Sequence, residues 1–458
     1  MSDSGAIADR DEAVAFFDDR IGSGIRLGLE RITGLVEFMG DPQLAYSVIH
    51  VAGTNGKTTV SRLVADILGA HGYRTGTFTS PHLHRIEERF SIDGQMISSE
   101  AFAGAVSDIA WFVEEYERRN DTKVTYFEVA AAVALSAFAT AAVDVAIIEV
   151  GLGGRWDATN VVVSDVAAIT GIALDHTEYL GETVGEIAGE KAAIVDQDGT
   201  VVTGPLPAGA EGPVTARVAE TDARWLRYGD DFSIEDETLA VGGWVADIAG
   251  IYAPYPDLYL PLHGRHQIVN LATAIAVSEA FLGHRLDEDA LRAAVAATTQ
   301  PGRIEVVHRH PLVIVDGAHN QQGVEGLAEA LAVEFPDEGY QLVIGLRGAR
   351  SPGEVLVPLD GQIARVWAAA PDDPSAQPAE EVAAAAAEAL GVEATVVENV
   401  ADAVAAAMEA AGPDGAVVAT GSLYLAGEAR ASLVGTTFEP SGVHVRYEAP
   451  VEMDGDGE

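Results

Sequence analysis

Two α/β domains in series are predicted: a larger one built on a mostly parallel sheet, and a smaller doubly wound one behind it. Three observations carry this. The 458 residues exceed one ordinary domain. Through the first 300 residues, short apolar runs alternate with helix-like stretches, the pattern of βαβ units. After residues 299–302 (TQPG) a second strand–helix series begins.

Taken in order, residues 47–52 (SVIHVA) read as a strand and 58–71 as the helix that follows. VDVAIIEV (143–150) is a continuous apolar run, as expected of a strand covered on both faces, and 165–172 is another. Residues 183–195 read as a helix. The stretch 205–256 is richer in Gly, Pro and charge, and reads as a short β-rich excursion. In the second series, 312–316 reads as a strand and 321–335 as a helix. Residues 342–345, 364–368 and 416–420 read as further strands, separated by Ala- and Glu-rich helices. Residues 371–379 read as a loop, and 448–458 as a disordered acidic tail. The expected division is 1–298, 299–445 and a tail from 446 to 458. No internal repeat is visible.

Acidic residues outnumber basic ones 71 to 27, for a net charge of −44. A phosphate backbone would be repelled, so no nucleic-acid partner is expected. The acidic residues are scattered, as on a solvated surface, and resemble the surfaces of proteins from high-salt cytoplasms. A halophilic source is therefore expected. No apolar run reaches the roughly 18 residues of a membrane span. The segment MSDSGAIADRDEAVAFF lacks the basic start of a secretory signal. Cysteine is absent, which excludes disulfides and thiolate-bound metals, and a cytoplasmic location fits.

Only three of the 27 basic residues are lysines: Lys57, Lys123 and Lys191. Two of them fall in segments with chemical meaning. Residues 48–60 (VIHVAGTNGKTTV) run from an apolar strand through a Gly-rich turn into a helix. Glycines let backbone N–H groups close around a phosphate, and the helix N-terminus adds positive potential. Lys57 can reach the outer phosphates, and a hydroxyl of Thr58 or Thr59 can approach Mg²⁺. Val51 stands where the commonest phosphate loop has its first Gly. The first domain is thus a P-loop-type nucleotide-binding domain by expectation, and the second is Rossmann-like.

ATP chemistry needs Mg²⁺ held by hard oxygens, with positions left for phosphate and water. Glu149 sits near the end of the buried VDVAIIEV strand, at the carboxyl edge where parallel sheets place ligands. The loop 151–160 (GLGGRWDATN) brings Arg155 and Asp157, and 171–181 (GIALDHTEYLG) brings Asp175 and His176. Lys191 lies in IAGEKAAIV, where a lysine-poor surface argues for a site-facing side chain.

Together these segments resemble the folylpolyglutamate synthase and dihydrofolate synthase family, within the Mur ligase superfamily. The resemblance runs from RLGLERITGLVEFMGDPQ (26–43) through HVAGTNGKTT, FTSPHLHRIEER (78–89), TYFEVAAAVAL (125–135), EVGLGGRWDATN, DHTEYLG and IAGEKAAI. It continues through LHGRHQIVNLATA (262–274), QPGRIEVV (300–307), DGAHN (316–320) and TGSLYLAGEAR (420–430). EVGLGGRWDATN and TGSLYLAGE are specific to the folate branch.

The resemblance implies an ATP-dependent amide ligase that adds L-glutamate to dihydropteroate or a reduced folate through an acyl phosphate. It implies that Asn55, Gly56, Lys57, Thr58 and Thr59 cradle the triphosphate. Ser80, Glu149 and His176 would bind Mg²⁺, directly or through water, with Thr58 beside them. Lys191 matches the lysine that is carbamylated in this family, and could so serve a second Mg²⁺. Asn270, Arg303 and Asp316 would contact the nucleotide. Leu27, Gly28, Leu29, Phe127, Arg155 and Asp157 lie where the pterin-bearing acid is expected, and His319 and Ser422 where glutamate is. Lys57, Lys191 and His176 are the expected catalytic set, in a monomer acting on small molecules.

Two departures stand out. The loop reads GKTT where relatives often read GKGS or GKGT, closer to the muropeptide branch, so Thr58 and Thr59 both remain candidates for the metal. The second domain reads GLRGARSPGEVL (345–356) where the family often carries Asp-Lys-Asp, with Arg347 or Arg350 as substitutes. A muropeptide-type ligase and a non-catalytic ATP switch are the rival readings.

Overall fold

The structure, a computed structural model, describes residues 7–21, 26–336, 339–348 and 351–439. The expected acidic tail and Arg350 lie outside the described residues.

Eight strands form the first sheet: β1 (Ser47–Ala52), β2 (Thr75–Phe78), β3 (Phe90–Ile92), β4 (Gln95–Met96), β5 (Val145–Glu149), β6 (Val166–Ile169), β7 (Thr200–Thr203) and β8 (Arg224–Arg227). Their order is β4-β3-β2-β5-β1-β6-β7-β8. Pairing is parallel from β2 across to β8 and antiparallel at β2–β3 and β3–β4. Alternation along the strands feeds two cores. Ile49, Val51, Val145 and Ile147 pack with the Lys57–Ala70 and His266–Leu282 helices. Val48, Ala146 and Ile148 pack with the Tyr126–Ala141 helix on the opposite face. Covered on both sides, these strands can be apolar throughout, which is why they were readable as runs.

The stretch 205–256 is more mixed than the expected β-rich excursion. It opens with the Glu211–Thr221 helix and then gives β8 to the main sheet. Only then does a three-stranded antiparallel sheet form: β9 (Ser233–Ala240), β10 (Gly243–Ala249) and β11 (Pro254–Leu260). The prolines of β11 sit on an edge strand, where a missing N–H costs no ladder bond.

The second α/β unit has six strands: β12 (Glu305–Arg309), β13 (Leu312–Val315), β14 (Tyr340–Ile344), β15 (Ile363–Ala368), β16 (Ala394–Val396) and β17 (Ala416–Thr420). Their order is β12-β13-β17-β14-β15-β16, parallel apart from the β12–β13 hairpin. The Gln321–Glu334 helix follows β13, capped by the Asn320 side chain on Gly323 N at 2.9 Å. The strands expected at 312–316, 342–345, 364–368 and 416–420 are all present, within about two residues.

Candidate active site

The carboxyl ends of β1, β5 and β6 lie side by side, with Val51 paired to Glu149 and Ala52 to Ile169. Three chain segments therefore deliver their next residues to one edge. From β1 the chain turns through residues 53–56 into the Lys57–Ala70 helix. Gly56 caps this helix with φ +84°, and a Cβ there would stand 2.4 Å from Asn270 Oδ1. Both facts require glycine. Thr170, just past β6, braces the turn by donating from Oγ1 to Asn55 O at 2.6 Å.

At the end of β5, Glu149 is buried. Thr58 Oγ1 lies 3.0 Å from each of its oxygens, and Ser80 N reaches Oε2 at 3.4 Å. Thr58, rather than Thr59, is thus the hydroxyl at the carboxylate. Burial raises the Glu149 pKa, while the Lys57 charge and the Thr58 and Ser80 donors oppose that rise. The donors are hydroxyl and amide, not an ion-pair partner. A desolvated carboxylate with the Thr58 hydroxyl on it and Ser80 beside it offers hard oxygen ligands suited to a hard cation. Among the described residues, no three His, Cys, Asp or Glu side chains group as a metal cage. Mg²⁺ needs none, because it takes one or two carboxylates and completes its shell with water and phosphate. The residues present therefore fit a nucleotide-borne Mg²⁺ at Thr58, Glu149 and Ser80.

Two of the three lysines converge on one backbone atom. Lys57 Nζ donates to Gly53 O at 3.0 Å and to Thr54 O at 3.3 Å, and Lys191 Nζ donates to Gly53 O at 2.9 Å. Lys191 rises from the Val184–Ala192 helix and is buried. Burial, reinforced by the Lys57 charge, lowers its pKa to about 7. A lysine amine that is substantially neutral near pH 7 is nucleophilic, which suits the chemistry of carbamate formation.

His176 has left-handed backbone angles (φ 49°, ψ 41°) and starts the short Thr177–Leu180 turn of helix. Its Nε2 is 3.9 Å from Asp175 Oδ1. The second unit closes over this edge. Asn320 Nδ2 donates to Asp175 Oδ2 at 2.9 Å and to Asn55 Oδ1 at 3.2 Å, and Asn55 Nδ2 reaches Gln322 Oε1 at 2.8 Å. His319 Nε2 stands 3.6 Å from Asp175 Oδ2. Asp316 accepts from Ile304 N and Ala318 N at 2.9 and 2.8 Å, which fixes the turn beside Arg303.

All this surrounds one cavity of about 410 Å³. Asn55, Gly56, Lys57, Thr58, Thr59, Ser80, Glu149, His176, Lys191, Asn270, Arg303, Asp316 and His319 all line it. The other expected residues lie elsewhere. Phe127 packs on Phe78 and against Gly151, two residues past Glu149 and itself at the cavity wall. Leu27 is exposed, Gly28 has φ +124°, and Leu29 opens the Glu30–Phe38 helix. Arg155 is half exposed and pairs with Glu190 at 2.9 Å. Asp157 is buried and holds its own loop, accepting from Leu152 N at 2.8 Å and Thr159 N at 3.0 Å. Ser422 is buried at the start of the Leu423–Val434 helix and accepts from Leu425 N at 3.1 Å. Arg347 pairs with Asp373 at 2.8 Å and lies over the Tyr424 ring at 3.6 Å.

Sequence reasoning missed Gln267 and His266, which line the cavity, and gave Asn320 no role. Gln267 is tied to Asn270, whose Nδ2 donates to Gln267 Oε1 at 2.8 Å. The signal was available in the i, i+3 spacing of Gln267 and Asn270 on one helix face.

Comparison with known proteins agrees with this geometry. Residues 51–278 match the Mur ligase middle domain, and residues 302–423 the Mur ligase glutamate ligase domain. A dihydrofolate synthase/folylpolyglutamate synthase of Mycobacterium tuberculosis is 39% identical over 433 residues, covering 88% of this chain and 89% of the relative. The chain belongs to the dihydrofolate synthase/folylpolyglutamate synthase family. The family's folylpolyglutamate synthase of Lacticaseibacillus casei is 35% identical over 410 residues, covering 88% of this chain and 94% of the relative. Among solved structures of the family, the M. tuberculosis folylpolyglutamate synthase complexed with ADP and AMPPCP superposes with a TM-score of 0.89 at 38% identity, covering 94% of this chain and 100% of that one. An Escherichia coli member in complex with DHPP and ADP gives 0.82 at 32% identity, covering 92% and 97%.

Proposed function

We propose that this protein is an ATP-dependent ligase that joins L-glutamate to dihydropteroate, to reduced folates, or to both. The observation that carries the reading is the convergence of the phosphate loop, the Thr58–Glu149 pair and His176 in one cavity, covered by residues of the second α/β unit. The names of the relatives support the acceptor class.

The triphosphate would lie along the turn at Asn55–Thr59, with the N–H groups of the helix start facing it. Thr58, Glu149 and Ser80 would hold Mg²⁺, which when bound neutralises phosphate charge. Lys57, released from Gly53 O and Thr54 O, reaches the outer phosphates. Its charge offsets the repulsion between the acceptor carboxylate and ATP as that carboxylate attacks the γ-phosphate. The bond to the β-phosphate breaks and ADP leaves, giving an acyl phosphate, which water would destroy. The Asn320, His319 and Gln322 side chains close the cavity on that side. The glutamate amine then attacks the acyl carbon and phosphate leaves. His319, which stands 3.6 Å from Asp175, would meet the incoming amino acid. Asn270 would contact the nucleotide from the first unit, and Arg303 and Asp316 from across the unit boundary.

Lys191 is the carbamylation candidate and His176 a further metal contact. Ser80 would act through its hydroxyl. The pterin-bearing end would approach Leu27–Leu29, Phe127 and Arg155, in a loop held rigid by Asp157. Ser422 would help orient glutamate from the second unit. The unit boundary falls at 298–302. A monomeric protein of a high-salt cytoplasm fits the scattered acidity and the three lysines.

The test is phosphate release from ATP at high potassium chloride, with dihydropteroate, tetrahydrofolate or a muropeptide, each with and without glutamate. The reading expects release that requires a pterin acid and Mg²⁺, with glutamate consumed. A muropeptide requirement would move the protein to the other branch suggested by GKTT. Release independent of any acid would make it a switch.

A further inference from the structure

The Gln321–Glu334 helix touches the first unit at three places along its length. At its start, Asn320 binds Asn55 and Asp175, as described. Near its middle, Gly326 faces the His266 ring so closely that a Cβ would stand 3.0 Å from Nδ1. At its last residue, the Glu334 side chain is only 2% exposed. Its Oε1 accepts from Trp244 Nε1 at 3.0 Å and Gly264 N at 2.6 Å, and its Oε2 lies 2.8 Å from His263 Nδ1. Phe335 packs on the His263 ring at 4.6 Å. A helix of 14 residues spans roughly 20 Å, so Glu334 stands well away from the Asn55 and Asp175 contacts of Asn320.

The partners of Glu334 are informative. Trp244 belongs to β10, in the three-stranded sheet to which the reaction assigns no role, and its ring is part of the first unit's core. His263 and Gly264 lead into the His266–Leu282 helix that carries Gln267 and Asn270. A buried carboxylate with three donors from the other unit is a strong, directional tie, because loss of either side leaves desolvated groups unpaired. Val324, Leu327 and Leu331 fix the same helix in the core of its own unit. The helix therefore transmits position between the two units as a rigid rod.

We propose that the Gln321–Glu334 helix is the strut that seats the second unit on the first, and that Glu334 is a positioning residue for ligation. The tie at Trp244, His263 and Gly264 holds the far end of the strut, and so keeps Asn320 and His319 over the phosphate loop. Release of the far end lets the near end swing, admits water to the acyl phosphate, and misplaces the glutamate site. This rests on the ligase reading above. It also gives the β9–β11 sheet a purpose, as the foothold of the second unit.

The experiment compares the full-length protein with Glu334→Gln, Trp244→Phe and, as an exposed change on the same helix, Glu325→Gln. Phosphate released per amide formed is measured, with the KM for glutamate and for ATP. Wild type and Glu325→Gln should release about one phosphate per amide, while Glu334→Gln releases several, because the intermediate leaks to water. The glutamate KM should rise roughly five-fold or more with the ATP KM changed less than about two-fold. Trp244→Phe, lacking one donor, should move the same way by less. A folded Glu334→Gln with wild-type coupling overturns the proposal, even if its Tm is lower, since the residue would then be only structural. If Glu334→Gln does not fold, unchanged coupling in Trp244→Phe overturns it. If wild type shows no turnover that depends on acid and glutamate, the ligase reading fails instead. The strut is then judged by proteolysis across 298–302, which both variants should accelerate and which unchanged rates would contradict.

Discussion

Replacing Lys191 with Met should make the protein more stable and inactive at once. A lysine free in water titrates near 10.5, and burial beside Lys57 brings Lys191 to about 7. The folded state thus resists a proton that the unfolded chain accepts. Below pH 7 the full shift acts against folding, at about 5 kcal/mol. Between pH 7 and 10.5 the folded chain has lost the proton that the unfolded chain still holds, and the cost of removing it fades with rising pH, to zero above that range. At pH 7 the cost is about 4 kcal/mol and at pH 9 about 2 kcal/mol. Lys191→Met removes it, but forfeits the bond to Gly53 O, worth about 1 kcal/mol. The variant should therefore gain about 3 kcal/mol at pH 7 and about 1 kcal/mol at pH 9. Urea unfolding at both pH values, in bicarbonate-free buffer so that no carbamate forms, measures the gap. Amide formation in bicarbonate-containing buffer should be lost in the same variant. A variant no more stable than wild type at pH 7, or a gap that does not shrink by pH 9, refutes this account of the buried amine.

The remaining predictions concern the edge itself and the loop beside it. Glu149→Gln keeps the Thr58 contact but loses the charge that would hold Mg²⁺, so ATP turnover should fall about 100-fold or more, as read by magnesium titration of phosphate release. Gly56→Ala forces a Cβ into the left-handed region and against Asn270, so it should cost about 1–3 kcal/mol in thermal unfolding and weaken ATP binding measured by calorimetry. Asp157→Asn leaves the 151–160 loop with one acceptor oxygen where two now serve it, so stability should fall by about 1–3 kcal/mol and the KM for the pterin acid should rise more than that for ATP.

Much of this was legible in the sequence for a physical reason. The central strands of the first sheet are buried on both faces, so 47–52 and 143–150 appear as predominantly apolar runs. The phosphate loop has local chemistry, a glycine-bearing turn followed by Lys57 and Thr58, and its neighbours Glu149 and His176 end or follow adjacent strands. What escaped was non-local. The choice between Thr58 and Thr59 depends on which way the helix faces Glu149. Nothing near Glu334 marks it as the partner of Trp244, some ninety residues earlier, because hydrogen-bonding complementarity across units leaves no periodic trace. The Glu211–Thr221 helix was hidden in a stretch whose Gly, Pro and charge content resembles turns, and β8 (RWLR) is an edge strand with too little alternation to read.

In the proposed reaction the acceptor's carboxylate becomes phosphorylated in the cavity between Lys57, Glu149 and the second unit. The most direct test of this step is to supply the pterin acid with ¹⁸O in that carboxylate and to analyse the released phosphate by mass spectrometry. One labelled oxygen should appear in each phosphate formed together with an amide. Phosphate that carries no label while amide accumulates would contradict this step.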